Sequence, residues 1–533
     1  MPRRVGVLPP AGARWGTAEA KIPQFGPQME ANTPQAVIEI AQAARAASRS
    51  LATSSLADRH LVLRCLAASL RESLPALLAA NAEDLAAARA GGLEASTYKR
   101  LILDGAKVDS LLQGLSDLLA LPDPLGRVGL SRSLAEGLEL RRVSCPLGVL
   151  AIIFEARPEA VVQIAALSLL SGNAVILKGG KEAAHSNAAL VAAVRAAIAA
   201  AAAAQGGGGG APFSVPPDAV QLVGSREAVA DLLRLDDLID LVIPRGSLRL
   251  VREVKAATRI PVLGHADGIC HVYVDVTADA RVAAALAVDS KTNYPAACNA
   301  AETLLVHADC VAGGALAAVG GALLAAGVTL HADGACAPVL RAARAALVAG
   351  RPRGEEGLGA VADAAPGDWR TEWLSLHMGV AAVADVGAAV AWVNAHGSHH
   401  TDCVVVGEGP AGAAAAARFT AGVDSAGVYV NASTRFADGF RYGFGAEVGI
   451  STNRIHARGP VGLEGLTTYK YTLRGRGHTV AQFGAPPGGA VEVGGVALPA
   501  LAFAHCDHVD PELAAAHARV AQLEAEVARL SRG

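Results

Sequence analysis

The chain has 533 residues, a length that predicts two or three packed domains with ample core. Its formal net charge of -3 argues against a surface that binds nucleic acid or another polyanion. Hydrophobic residues make up 52% of the chain, but alanine inflates this fraction. The longest apolar run, residues 188–204, is nearly all alanine and contains Arg195, so it is typical of a helix rather than a membrane span.

The cysteines and the N-terminus bear on the compartment. Eight cysteines are scattered without CxxC pairs or Cys/His clusters of the zinc type, which predicts a reducing compartment such as the cytoplasm and no metal site. Residues 1–33 are predicted to be a disordered or targeting segment, because their first fifteen residues carry three arginines and no acid. A plastid location remains the alternative.

The first ordered part of the chain is predicted to be helical. From residue 34 to about residue 121, apolar residues recur at three- and four-residue spacing, which predicts several packed helices. Prolines and a glycine at 122–126 break this pattern. Residues 126–145 then alternate in the manner of a projecting β-hairpin, which by itself could be a surface flap.

Strands and helices alternate through the next part of the chain. The predicted strands are at 149–154, 174–178, 219–223, 239–243 and 261–263. The predicted helices are at 160–170, 182–204, 226–234 and 247–257. This α/β rhythm indicates a doubly wound parallel sheet covered by helices on both faces, an arrangement suited to a dinucleotide. We therefore predict a dinucleotide-binding domain over 34–269, interrupted by a low-complexity glycine loop at 206–210.

A second alternating region, 270–455, carries Cys298 near its start. An apolar helical run at 282–288 must end before Pro295, and residues 303–306 predict a buried strand, so Cys298 lies in the tight connection between them. A thiolate held in an electropositive or amide-rich turn is a nucleophile. The alternative is structural, because a lone cysteine more often behaves as a small hydrophobe.

The C-terminal part is predicted to be less regular. Residues 456–480 include a strand-like stretch at 467–477, and we interpret this segment as a return strand. Residues 481–533 are predicted to be a Gly/Pro-rich linker followed by a helix at 511–530. That helix has an apolar stripe of fewer than three heptads, so a surface helix is favoured over coiled-coil pairing.

Two turns at predicted strand ends are candidates for cofactor binding. One links strand 239–243 to a helix, and a glycine turn at a helix N-terminus offers backbone amides and the positive end of the helix dipole to a phosphate. The other follows strand 174–178 at the carboxyl edge of the sheet. An ordinary turn and a solvated lysine remain the alternatives. The candidate residues are Lys178, Gly179, Pro244, Arg245, Gly246 and Ser247.

The stretch 291–307, KTNYPAACNAAETLLVH, with HADGICHVYVD at 265–275, resembles the active-site segment of gamma-glutamyl phosphate reductases of the aldehyde dehydrogenase superfamily. The resemblance runs from about residue 36 to about residue 476 and is strongest to the reductase half of plant-type pyrroline-5-carboxylate synthase. It implies an aldehyde dehydrogenase-like fold with an NADP-binding domain, a catalytic cysteine domain and a small β oligomerisation arm. The hairpin and the return strand would form that arm and meet a partner subunit in a homo-oligomer.

The resemblance implies NADPH-dependent reduction of L-glutamyl 5-phosphate to L-glutamate 5-semialdehyde in L-proline biosynthesis, through a thioester on Cys298. NADH stays open as the cofactor, and glutamate 5-kinase is a candidate partner for substrate hand-over. Ordinary aldehyde dehydrogenases carry a glutamate that activates water, and the matching residues 264–268 contain none, which suits a reductase. An oxidative NAD(P)-dependent aldehyde dehydrogenase and a noncatalytic scaffold are the alternatives.

Several further residues receive a role only from this resemblance. Lys178 would contact the adenosine ribose, Lys181 would favour a 2′-phosphate, and Glu372 would hold the nicotinamide ribose hydroxyls. Glu159 stands where many relatives have asparagine, so an oxyanion role for that asparagine does not carry over. The candidates for substrate binding are Arg157, Asn299, His399, Asn431 and Arg435, with either arginine binding the α-carboxylate. His265 and Asp267 are candidates for positioning groups near the thiol.

Overall fold

A computed structural model describes residues 33–205, 213–264, 267–350, 354–486 and 488–508. The predicted N-terminal segment up to residue 32, the glycine loop at 206–210, His265 and the predicted helix at 511–530 lie outside the described residues.

The chain begins with a layer of helices. They are α1 (Pro34–Leu51), α2 (Leu56–Glu72), α3 (Leu74–Ala90), α4 (Ala95–Leu101) and α5 (Gly105–Ala120). Side-chain caps fix several of their starts, because Thr33, Ser55 and Asp104 each accept a hydrogen bond from a backbone amide of the first turn. Their apolar stripes join the core of the first sheet, as the three- and four-residue spacing predicts.

The first α/β unit has a four-stranded parallel sheet. Two arm strands, β1 (Val128–Ala135) and β2 (Leu138–Pro146), precede it in the chain. Its strands are β3 (Val149–Phe154), β4 (Ala174–Lys178), β5 (Val220–Leu222) and β6 (Leu241–Arg245), in the order β5-β4-β3-β6. Its helices are α6 (Ala160–Leu170), α7 (Ala184–Gln205), α8 (Arg226–Leu232) and α9 (Leu248–Ala257). The chain moves outward from β3 and then returns to its other side as β6, which creates a topological switch point.

The fourth strand of this sheet differs from the prediction. It was predicted at 239–243 with Pro244 and Arg245 in the following turn, but both residues belong to β6 and pair with β3. Proline is tolerated there because β6 is an edge strand of the sheet. The strand predicted at 261–263 is reduced to one bridge between Val262 and Val242.

The alanine-rich helix α7 is long and apolar enough to span a membrane by length and composition alone. It packs against α2 and α3, and half of its most apolar window is buried within the protein. It therefore serves as a core helix of the first α/β unit, as the sequence predicted for residues 188–204.

The second α/β unit has a seven-stranded parallel sheet in the order β10-β9-β11-β8-β7-β12-β13. Its strands are β7 (Cys270–Val274), β8 (Ala301–His307), β9 (Thr329–Ala332), β10 (Val361–Asp363), β11 (His377–Val383), β12 (Thr401–Val405) and β13 (Gly427–Val430). Its helices are α10 (Ala280–Thr292), α11 (Ala308–Ala312), α12 (Ala315–Ala325), α13 (Ala337–Ala349), α14 (Val386–His396) and α15 (Pro410–Gly422). Helix α10 ends before Pro295, and Cys298 lies in the short connection from α10 to β8, as predicted.

The remaining strands are β14 (Ile450–Ser451), β15 (Gly459–Pro460), β16 (Thr467–Arg474), β17 (Ala490–Val493), β18 (Val496–Pro499) and β19 (Cys506–Asp507). Strand β16 pairs antiparallel with β2, so the sequence-distant hairpin and return strand form one arm sheet in the order β16-β2-β1-β19. The segment predicted as a plain linker differs from that prediction, because β17 and β18 form a hairpin and β19 pairs with β1. Glycines at positive φ make these tight turns accessible.

The entry to β3 depends on one glycine, and this allows a test of the fold. Gly148 has φ +131°, and an added Cβ would overlap the carboxylate of Asp240, which accepts the Val149 amide at 2.7 Å. We expect Gly148→Ala to be roughly 2 to 4 kcal/mol less stable, through backbone strain and overlap. Thermal unfolding monitored by circular dichroism would measure the shift. Gly321→Ala is the matched control, since nothing lies near its Cβ, and an equal shift in both variants would contradict this account.

Candidate active site

A cavity of about 1080 Å³ lies where the carboxyl ends of β3 and β6 face the start of β8. Its walls include the turn after β6, the Cys298 connection, Glu372 and Arg435. The first of these belongs to the first α/β unit and the others to the second. The cavity therefore has the position in which a doubly wound sheet binds its ligand, at the switch point between β3 and β6.

Cys298 is half-buried in the wall of this cavity. Its backbone lies against Gly268, where an added Cβ would overlap the Cys298 carbonyl group, so only glycine allows this approach. The Cys270 thiol donates to the Cys298 carbonyl oxygen at 3.4 Å, and Thr434 Oγ1 donates to the carbonyl oxygen of Asn299 at 2.6 Å. The connection is thus held at its backbone, which leaves the Cys298 side chain directed by a rigid turn.

Two arginines lie within electrostatic reach of the Cys298 sulfur. Burial lowers the pKa of Arg245, while negative charge on Glu447 and on the Cys298 sulfur raises it. Burial also lowers the pKa of Arg435, which neighbouring Arg441 lowers further and the Cys298 sulfur raises. Both guanidinium groups therefore lie near the cysteine side chain of the cavity wall, where they can interact with an anionic ligand group.

A buried ion pair lies beneath the Cys298 connection and was not predicted from the sequence. Lys291 in the last turn of α10 and Glu302 in β8 are both fully buried, with Nζ 2.5 Å from Oε2. Burial lowers the pKa of Lys291 and raises the pKa of Glu302 to about 7. The pair joins the two ends of the connection that carries Cys298. The sequence feature that could have predicted this ion pair is a lysine and a glutamate on either side of the cysteine, each in an otherwise apolar helix or strand.

Glu372 reaches the same site from the segment before β11. Its Oε1 accepts the Gly268 amide at 3.0 Å, and its side chain lines the cavity. Because Gly268 packs on the Cys298 backbone, this hydrogen bond holds the Glu372 carboxylate beside the cysteine turn. A carboxylate in this position has capacity to accept hydroxyl donors from a bound ligand.

The turn between β6 and α9 fits an anionic group such as a diphosphate. Ser247 caps α9, and its backbone amide donates to Glu155 Oε2 at 2.9 Å. A Cβ on Gly246 would overlap the same carboxylate, so the turn has no room for a side chain. A carboxylate oxygen thus already occupies the amide-rich N-terminus of α9, and a phosphate oxygen requires the same donors.

Lys178 and Gly179 lie at the end of β4 rather than in the cavity wall. Lys178 is half-buried, and a Cβ on Gly179 would overlap the amide of Asn187 at the start of α7. The neighbouring Glu182 does line the cavity and accepts the Ala156 amide at 2.7 Å. The strand end therefore flanks the cavity at the carboxyl edge of the sheet, where the sequence predicted it.

Two of the substrate-binding candidates line the cavity with Arg435. Arg157 is exposed, and within the described ranges its guanidinium makes no hydrogen bond or ion pair. Asn299 is buried next to Cys298 and donates from Nδ2 to the Ala437 carbonyl oxygen at 2.9 Å. Its Oδ1 is buried without a partner among the described residues, which leaves an acceptor at the cysteine turn.

The structure does not bring His399 and Asn431 to the cavity. Asn431 bonds the backbone of Val406 through both amide atoms, at 2.9 and 3.0 Å, and so fixes the end of β12. His399 Nδ1 lies 2.6 Å from the Asp424 carbonyl oxygen, and His399 is not among the residues that line the cavity. Their polar sequence motifs thus have structural partners, and their assignment to substrate binding gains no support. Among the described residues, no group of His, Cys, Asp or Glu is arranged to hold a metal ion.

Comparisons with known proteins agree with one another. No family model matches the chain. The chain is 49% identical to "Gamma-glutamyl phosphate reductase" of Synechococcus elongatus, over 83% of this chain and 94% of that protein. It is 48% identical to "Probable gamma-glutamyl phosphate reductase" of Schizosaccharomyces pombe, over 82% of this chain and 92% of that protein. The crystal structure of gamma-glutamyl phosphate reductase from Thermotoga maritima is 33% identical with a TM-score of 0.75, over 83% and 99%. An acetylating aldehyde dehydrogenase from Geobacillus thermoglucosidasius, 17% identical with a TM-score of 0.55 over 84% and 98%, shares the fold.

The buried ion pair predicts how stability depends on pH. The pKa of Glu302 is about 7 in the folded protein, against an ordinary value of 4.5. The stability that comes from its neutral carboxyl group is therefore fully present below pH 4.5 and is lost as the pH rises through 7. Removing the cation in Lys291→Met raises the pKa of Glu302 further, because Lys291 lowers it. At pH 8.5 we expect this variant to lose about 3 to 5 kcal/mol, and less at pH 6.

Thermal unfolding at the two pH values would measure this dependence. The double variant Lys291→Met/Glu302→Gln is the matched control, because it leaves no buried carboxylate to ionise and should lose the pH dependence. Equal destabilisation of Lys291→Met at both pH values would contradict the assignment.

Proposed function

The chain belongs to the gamma-glutamyl phosphate reductase family, and we propose on that basis that it reduces L-glutamyl 5-phosphate to L-glutamate 5-semialdehyde with release of phosphate. This reaction is a step of L-proline biosynthesis. The observation that carries the proposal is the position of Cys298, half-buried in the wall of a cavity that Arg245, Arg435 and the turn at Gly246 and Ser247 also line. The alternative of an oxidative aldehyde dehydrogenase is not favoured.

The reaction begins at the Cys298 sulfur. The thiolate attacks the γ-carbonyl carbon of the acyl phosphate, a carbon–sulfur bond forms, and the developing oxyanion is stabilised by the Cys298 backbone amide. Collapse breaks the carbon–oxygen bond to phosphate, which departs with its electron pair and leaves a thioester. Phosphate is a good leaving group and needs little acid catalysis. Arg435, in the same wall, favours the charge of the departing group.

The second half of the reaction needs a nicotinamide dinucleotide, which the described residues can hold. The turn at Gly246 and Ser247 would bind its diphosphate, and Glu372 would accept the nicotinamide ribose hydroxyls. When bound, this cofactor supplies the hydride that reduces the thioester. The alkoxide that results re-forms the carbonyl group with its electron pair as the carbon–sulfur bond breaks, which releases the aldehyde and regenerates the Cys298 thiolate.

The surroundings of Cys298 favour reduction over hydrolysis. A hydrolytic dehydrogenase needs a carboxylate that activates water, and none of residues 264–268 is a glutamate. Asp267 lines the cavity, and its carboxylate is engaged by Arg252 in an ion pair at 3.8 Å. The thioester therefore persists until hydride arrives.

Assembly and location are proposals of the same kind. The face of β16 exposes Tyr469, Tyr471 and Leu473, each more than half exposed, on an edge strand of the arm sheet. An apolar edge strand is suited to pairing with a second copy of the chain, so we propose a homo-oligomer. Glutamate 5-kinase is proposed as a separate partner, which supplies the unstable acyl phosphate.

The eight cysteines are free, which favours a reducing compartment such as the cytoplasm, with the plastid as the alternative.

Cys298→Ser tests the mechanism. Because a serine hydroxyl is a far weaker nucleophile at neutral pH, we expect phosphate-dependent oxidation of pyrroline-5-carboxylate with NADP to fall by about three orders of magnitude or more, while NADPH binding is retained. Spectrophotometry at 340 nm measures turnover, and fluorescence titration measures binding. Cys506→Ser, at an exposed cysteine, is the matched control. Near-normal turnover in Cys298→Ser would remove the mechanism.

Lys181→Ala tests NADPH as the cofactor. Lys181 is exposed just after β4, and an ammonium there would pair with the 2′-phosphate that only NADPH carries. We expect kcat/KM for NADPH to fall about tenfold, with a much smaller change for NADH, as suits the loss of one charged contact. Lys255→Ala, at another exposed lysine of the same unit, is the control. Equal losses with both cofactors would contradict this role.

A further inference from the structure

A second cavity, of about 450 Å³, adjoins the first and is called here the side chamber. It is bounded by α5, α6 and the loop 438–447. The two cavities share four charged wall residues: Arg157, Arg245, Asp438 and Glu447. Gly246 and Ser247, of the turn that fits a diphosphate, line the first cavity but not the side chamber.

The shared wall contains two arginines, Arg157 and Arg245, whose positive charges interact unfavourably. Arg157 is without a partner in the described ranges, and its charge contributes to lowering the pKa of Arg245. Arg245 Nη1 donates to the Glu447 carbonyl oxygen at 3.2 Å, so its side chain extends to the loop 438–447. Two like charges on one cavity wall repel each other, and a bound carboxylate would relieve that repulsion.

The same wall also contains an anion suited to an ammonium group. Glu447 is largely buried, and its Oε2 accepts the Gly439 amide at 2.8 Å. Its Oε1 lies 4.0 Å from Arg245 Nη2, a loose ion pair rather than a hydrogen bond. Asp438 lies beside it in the wall. Cations and anions are thus next to each other, as recognition of a zwitterion requires.

Four aliphatic side chains also line the side chamber, beside the polar Ser110, Gln113 and Gln163: Leu111, Leu115, Leu118 and Val162. Aliphatic walls match the methylene carbons between the reacting carbonyl group and the α-carbon of a glutamyl substrate. Those ends are three bonds apart in the substrate, so the groups that bind the α-carboxylate must lie near the nucleophile. Arg245 meets that condition, because it lines both the side chamber and the cavity that contains Cys298.

We propose that the side chamber binds the amino-acid end of the substrate, with Arg157 and Arg245 on the α-carboxylate and Glu447, beside Asp438, on the α-ammonium group. This inference rests on the proposed function and deepens it. It assigns different roles to the end of β6 and to the turn that follows: the Arg245 side chain binds the substrate, and the backbone at Gly246 and Ser247 binds the cofactor. The chain thereby selects an α-amino acid aldehyde over a plain aldehyde.

Three aldehydes with the same reacting end test this assignment in the phosphate-dependent oxidation. Glutamate 5-semialdehyde carries both charged groups, 5-oxopentanoate carries only the carboxylate, and pentanal carries neither. We expect Arg157→Met and Arg245→Met each to lower the ratio of kcat/KM for 5-oxopentanoate to that for pentanal by about tenfold or more. Glu447→Gln should instead lower the ratio for the semialdehyde to that for 5-oxopentanoate.

Arg281→Met, at a side chain that is 94% exposed, is the control and should leave both ratios unchanged. Arg245→Lys keeps a cation in the buried wall and should retain part of the discrimination even if Arg245→Met folds poorly. Ratios that stay within twofold of wild type in Arg157→Met and Arg245→Lys alike would overturn the proposal. A selective rise in the KM for phosphate, with the aldehyde ratios unchanged, would also overturn it and assign the arginines to the phosphate group.

Failure of the proposed function gives a different result. Wild-type protein that does not oxidise the semialdehyde in a phosphate-dependent way would remove that function and this inference together. Wild-type protein that is active, with variants that keep wild-type discrimination, would remove only the role of the side chamber.

Discussion

The close approach of Gly268 to the Cys298 backbone is the constraint on which the rest of the site depends. No side chain at residue 268 would fit against the Cys298 carbonyl group, so the entry to β7 and the entry to β8 are held side by side. The same glycine donates its amide to Glu372. One tight backbone contact therefore fixes the nucleophile and the carboxylate proposed to hold the cofactor ribose, and any shift of the first moves the second.

Beneath this contact, the Lys291–Glu302 pair has a cost as well as a benefit. Taking both charges out of water is unfavourable, and the shifted pKa of Glu302 is the sign of that cost. The pair persists because it joins the last turn of α10 to β8 across the short connection that carries Cys298. A hydrophobic pair would fill the same space without a directional contact between α10 and β8.

Strand β6 serves both substrates of the proposed reaction. Its backbone leads into the turn whose amide already binds the Glu155 carboxylate, and its last side chain, Arg245, extends toward Glu447 and the side chamber. The Arg245 side chain and the backbone of the following turn thus point in different directions. One strand end therefore has a face for the substrate and another for the cofactor. Cys298 lies between the two faces, where a hydride donor and an acyl group must meet.

The sequence by itself determined the α/β alternation, the strand and turn around Cys298, and the family, because these follow from local periodicity, from proline and glycine, and from a motif contiguous in the chain. Only the tertiary structure decided which polar residues meet. Asn431 and His399 lie in sequence motifs as polar as that of Arg157. In the structure, however, they bond to backbone groups of Val406 and Asp424, outside the cavity wall. The direction of Arg245, the partner of Lys291 and the side chamber depend on residues more than a hundred positions apart or on burial, and neither is encoded in spacing along the chain.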